Sequence, residues 1–70
     1  MLLQSNVEYQ LTDSQQAIIV KGGPINLFVK GQLVDFVLDG SYEEGFYNLP
    51  SLTGLIIKYT GAAQVELVGV

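Results

Sequence analysis

The chain has 70 residues, three lysines and no arginine against seven carboxylates, and a formal net charge of −4; it contains neither cysteine nor histidine. Those counts exclude a disulfide framework and any thiolate or imidazole metal site. They also exclude a surface built to neutralise phosphate, which needs Lys and Arg in number, so nucleic acid is not an expected partner.

In chain order, residues 6–12, NVEYQLT, alternate apolar and polar side chains, with Val7, Tyr9 and Leu11 on one side. That period of two predicts a half-buried strand. Residues 12–14, TDS, break it, and 15–21, QQAIIVK, form a second β-rich run. Gly22-Gly23-Pro24 is a turn, because the glycines accept positive φ and the proline cannot donate to a ladder. Residues 25–30, INLFVK, put Ile25, Leu27 and Val29 on one face of a third strand. Residues 32–39, QLVDFVLD, carry apolar side chains at 33, 34, 36, 37 and 38. Their valines and phenylalanine, and the glycines at 31 and 40, favour strand over buried helix. Residues 39–45, DGSYEEG, are expected to be a loop, 46–50 a short extended piece, and 52–60 and 63–70 a final hairpin turning at Gly61-Ala62. Six or seven short strands in a single domain, residues 1–70, predict an all-β fold: a small antiparallel β-sandwich or partly open barrel.

A domain of this size is marginal alone. Surface scaling gives roughly 4,300 Å² for the folded chain and about 60% of the unfolded surface buried. Such domains are commonly supported by a disulfide, a metal or a partner subunit, and only the last remains open to this composition. Mean hydropathy is +0.36 and 14% of residues are charged, so apolar area is expected on the outside, where it marks contacts.

Candidate chemistry is sparse. Asp39, Ser41 and Glu43 alternate as in a calcium loop, but the sixth-position glycine and distal bidentate Glu of an EF-hand are missing, and a solvated turn is the expectation. Glu43-Glu44 is read as a solvent-facing pair, and Asp35 as lying on an outer face or subunit contact. Lys21-Gly22-Gly23 lacks the P-loop spacing. Without His, Cys or Arg the usual triads and anion clamps are unavailable, so the chain is expected to be no enzyme and to carry no cofactor. No apolar run has the length of a transmembrane helix, and the opening MLLQSNVEYQ lacks the basic region and apolar length of a signal peptide. Synthesis in the cytoplasm, with no membrane partner, is the expectation.

The strand faces carry a surplus. If Ile18, Val20, Ile25, Leu27, Val29, Leu55, Ile57, Tyr59, Val65 and Leu67 line a core, the opposite faces still hold Ile19, Phe28, Ile56, Val68 and Val70. These five are candidate interface residues. Tyr42, Phe46 and Tyr47 join them as anchors of an interface or of the subunit's own core: aromatic anchors are enriched at interfaces, and Glu43 and Glu44, interleaved with them, would repel phosphate. A homo-oligomer or docking on a larger assembly would cover such faces.

The segment YNLPSLTGLIIKYTGAAQVELVGV, with Asp39-Gly40, Leu49-Pro50, Leu55 to Tyr59, Thr60-Gly61-Ala62 and Val65 to Val68, resembles small all-β structural proteins of tailed bacteriophages. The resemblance runs over residues 15–70 and carries turns and strands, no chemistry. It implies a virion component, a head-decoration (cement) protein or related accessory, working as a symmetric oligomer, often a trimer, on a capsid or tail. Two other readings stand beside it. One is a small β-barrel module that recognises a protein or carbohydrate through Tyr42, Phe46 and Tyr47. The other is an acidic inhibitor that mimics nucleic acid.

Overall fold

The computed structural model describes residues 1–69, so the candidate Val70 lies outside the described residues. Among the described residues eight strands form: β1 (Leu2–Leu3), β2 (Tyr9–Gln10), β3 (Ala17–Lys21), β4 (Ile25–Lys30), β5 (Val37–Tyr42), β6 (Gly45–Asn48), β7 (Ile56–Thr60) and β8 (Gln64–Val68). One turn of 3-10 helix, Pro50–Leu52, precedes β7. The proline stands at its start, where a missing N–H costs nothing.

The strands make two four-stranded antiparallel sheets, ordered β1-β8-β3-β6 and β2-β7-β4-β5. The pairings β1–β8, β2–β7, β3–β6 and β4–β5 nest inside one another. The sheets are completed by β3–β8 and β4–β7. A long antiparallel ribbon wrapped in this way is a jelly roll. The expected sandwich is therefore present, as two packed sheets that do not close into a barrel.

Period-two alternation decides which side chains enter the sandwich. Ile18 and Val20 of β3, Ile25, Leu27 and Val29 of β4, Ile57 and Tyr59 of β7, and Val65 and Leu67 of β8 are all buried, as their spacing predicts. Leu11, just beyond β2, is also fully buried. No polar or charged residue among those described is buried. The Tyr59 hydroxyl reaches the surface of this core by donating to the Leu3 carbonyl at 3.3 Å. The exposed area is 4082 Å², close to the scaling expectation for the length.

Four sequence expectations change. Strand 6–12 shrinks to Tyr9–Gln10, because only these residues form a ladder with β7, although the Asn6 amide also donates to the Tyr59 carbonyl at 2.8 Å. The strand expected at 32–39 moves to 37–42. Residues 32–35 have no ladder partner and form the β4–β5 turn, while Gly40–Tyr42, expected as loop, pair with Ile25–Leu27. A register shift between Leu27 and Phe28 leaves Asp39 as an extra residue opposite them, so Asp39-Gly40 makes a bulge in a strand and not a turn. The apparent hairpin at 52–70 is an arch. β7 and β8 lie in different sheets and do not pair with each other. Gly61, at φ +134°, makes that corner; a Cβ there would come within 3.2 Å of the Pro24 carbonyl and 3.4 Å of Ile25.

Candidate interaction surfaces

Among the described residues no cleft opens, and no three acidic, histidine or cysteine side chains gather as a metal site would require. What the fold presents instead is two broad sheet faces, one loop tip and one aromatic corner.

The outer face of the β1-β8-β3-β6 sheet is the simplest. Register sets Leu2 opposite Glu66, Glu66 opposite Ile19, and Ile19 opposite Phe46. One row thus crosses all four strands, apolar except for a single carboxylate. In the next row Ala17 stands between Val68 and Asn48. Leu2 is 57% and Phe46 53% exposed, while Ile19 and Val68 are half-buried. Ile19 and Phe46 are direct cross-strand neighbours with Val68 diagonal to Ile19, so these three form a patch, and Leu2 extends the apolar row beyond Glu66.

The outer face of the other sheet is apolar underneath and cationic on top. Phe28 lies opposite Lys58 and Leu38, and Ile56 opposite Lys30 and Gln10. The Lys30 and Lys58 ammonium groups sit 4.6 and 4.4 Å from the centre of the Phe36 ring, and Lys58 is 6.0 Å from that of Phe28. Lysine stems lying on aromatic rings cover apolar surface while the charge stays in water. Glu8 pairs with Lys30 at 3.5 Å. Phe28 and Ile56 are in consequence half-buried within their own subunit. The first face has no such cover.

The β4–β5 turn carries the most exposed large apolar side chain among the described residues. Leu33 is 98% exposed, followed by exposed Val34, Val37 and Leu38. Sequence reasoning missed this tip. The run LVDFVL scans as a buried strand, and only the register of β4 with β5 reveals that its first half has nothing to pair with. Asp35 lies in the same exposed turn.

The aromatic trio divides. Tyr42 and Tyr47 occupy inward positions on the edge strands β5 and β6, opposite Ile25 and Ile18, and pack against the core. Their ring centres are 4.7 Å apart at an interplanar angle of 72°, the edge-to-face arrangement that aromatic quadrupoles favour. They close one open side of the sandwich between its two sheets. The Tyr47 hydroxyl donates to the Glu43 carbonyl at 2.8 Å, and the Tyr42 hydroxyl donates to Asp39 Oδ2 at 2.5 Å. Partial burial, and then the hydrogen bond to Asp39 and its negative charge, push the Tyr42 phenol up to about 12. Phe46, between them in sequence, alternates outward to the first face.

The suspected acidic loop therefore has a structural occupation: Asp39 accepts from Tyr42, and Glu44 Oε1 accepts from the Gly22 amide at 3.5 Å. Ser14 contacts Thr12 at 3.2 Å. Among the described residues no helix is long and apolar enough to cross a membrane. Comparison of the chain with protein-family models, with curated proteins and with solved structures gives no match.

Proposed function

We propose that the chain is a non-enzymatic structural subunit that associates with its own copies and attaches to a larger protein assembly, as a head-decoration protein of a tailed bacteriophage does. The observation that carries this reading is the outer row Leu2–Glu66–Ile19–Phe46 with Val68 beside it, apolar but for one carboxylate and crossing all four strands of the sheet. A flat apolar face of that kind suits another protein surface; it has no concavity to hold a small ligand. The jelly-roll topology supports the reading by analogy alone, since viral capsid proteins, lectins and cupins share it. The phage assignment, the trimer and the virion location rest on the resemblance carried by residues 15–70.

Sedimentation velocity tests the proposal, with the chain alone at micromolar concentration and mixed with purified heads of the phage that carries the gene. The wild type is expected to self-associate and to co-sediment with the heads. Ile19→Lys and Val68→Lys, which place charge on the uncovered face, are expected to abolish co-sedimentation while circular dichroism stays unchanged. A wild type that remains monomeric and stays in the supernatant refutes the proposal.

A further inference from the structure

We infer that two copies of this chain join edge to edge through β6, antiparallel, about a twofold axis at Tyr47. The inference rests on the self-association proposed above, adds where it occurs, and gives a twofold pair in place of the trimer that the resemblance implies.

Four strands lie at sheet edges: β1, β6, β2 and β5. Exposed edges invite pairing with other chains, and proteins guard them with short length, charge, proline or bulges. β1 and β2 are two residues long. β5 carries the bulge and the exposed charge of Asp39. β6, Gly45-Phe46-Tyr47-Asn48, has four residues and none of these guards.

Its free backbone groups can be assigned. The Leu49 amide donates to the Gln16 carbonyl at 2.5 Å. The ladder then runs Asn48 opposite Ala17, Tyr47 opposite Ile18 and Phe46 opposite Ile19. Hydrogen-bonded and non-bonded pairs alternate in an antiparallel ladder. Tyr47 therefore bonds inward to β3, and the N–H and C=O of Phe46 and Asn48 point out of the sheet edge.

A second copy supplies matching groups. With Tyr47 on the twofold axis, Phe46 of each copy faces Asn48 of the other, and both outward pairs of backbone groups are used. Charge favours this antiparallel arrangement. Glu43 and Glu44 of one copy then flank Ser51 and Pro50 of the other, whereas a parallel pairing would set acid against acid. The joined sheet has eight strands and unites the two uncovered faces into one surface for the larger assembly. Four residues bury less than the roughly 800 Å² per partner of a standard interface, so the pairing is expected to be reversible with concentration.

Amide exchange by NMR together with sedimentation velocity decides the matter. On raising the wild-type concentration, exchange at Phe46 and Asn48 is expected to slow, while Tyr47 is protected throughout. Asn48→Pro removes an outward donor and spares the ladder to β3, as edge prolines do. It is expected to weaken self-association about tenfold or more. Phe46→Lys, which installs an edge guard, is expected to do the same and decides the question should the proline variant not fold. Unchanged association in Phe46→Lys, with concentration-independent exchange at Phe46 and Asn48, overturns the edge pairing and leaves self-association standing. A wild type that is monomeric at all concentrations overturns both.

Discussion

Ile18 and Ile19 are the same residue type at adjacent positions of one central strand, and the structure gives them opposite fates. Ile18 is fully buried between Leu67 and Tyr47, and Ile19 faces outward between Glu66 and Phe46. Ile18→Val deletes one methylene from a closed core and is expected to cost about 1 kcal/mol, within the usual range of about 0.5–1.5. In a domain this small that lowers the melting temperature by roughly 4–8 °C. Ile19→Val removes a methylene that is already partly in water, and the expected loss stays within about 0.5 kcal/mol. Ile18→Ala is expected to cost about 2–5 kcal/mol. A domain of this length holds only about 3–5 kcal/mol from its core, so that variant should sit close to its unfolding midpoint at room temperature. Thermal and urea unfolding followed by circular dichroism measure all three. Low protein concentration is required, because association would add stability to the native state by mass action. Equal losses at the two positions would mean that β3 does not have one core face and one free face. The uncovered patch, and the functional proposal built on it, would fall with that result.

Two further outcomes follow from local geometry. Unfolded tyrosine ionises near pH 10, and Tyr42 in the folded chain near 12, so the native state holds the extra proton between those values. Stability from this group is complete below about pH 10 and is lost as pH rises towards 12. Ultraviolet titration should show a late tyrosinate step near pH 12 that Tyr42→Phe removes; a wild type without a late step contradicts the Tyr42–Asp39 contact. At the β7–β8 arch, Gly61→Ala forces an alanine to φ +134° against the Pro24 carbonyl. An expected loss of about 1–3 kcal/mol is readable by urea unfolding, and a variant as stable as the wild type would show that the corner is not tight.

Much of this molecule is written locally. The inward sets Ile18/Val20, Ile25/Leu27/Val29, Ile57/Tyr59 and Val65/Leu67 follow from alternation, because successive side chains on a strand must leave on opposite sides. The same rule makes Ile19, Phe28, Ile56 and Val68 outward residues, and the structure shows none of them in the core. The absence of His and Cys restricts the chemistry whatever the fold.

Partnership between strands is a different kind of information. Nothing local distinguishes a tight hairpin from an arch that crosses between sheets, so Gly61-Ala62 scans as the first and is the second. Asp39-Gly40 has turn chemistry, yet pairing with β4 turns it into a bulge. Tyr42, Phe46 and Tyr47 are close in sequence, but edge position and alternation send two inward and one outward. The bareness of one face and the lysine cover on the other depend on residues 30, 36 and 58 meeting across strands. The amino-acid order thus determined which side of each strand is apolar, since that needs only the two-residue period. Strand order, register and the unguarded β6 edge were decided by the tertiary structure, since hydrogen bonds between segments distant in the chain choose among pairings that alternation alone leaves equal.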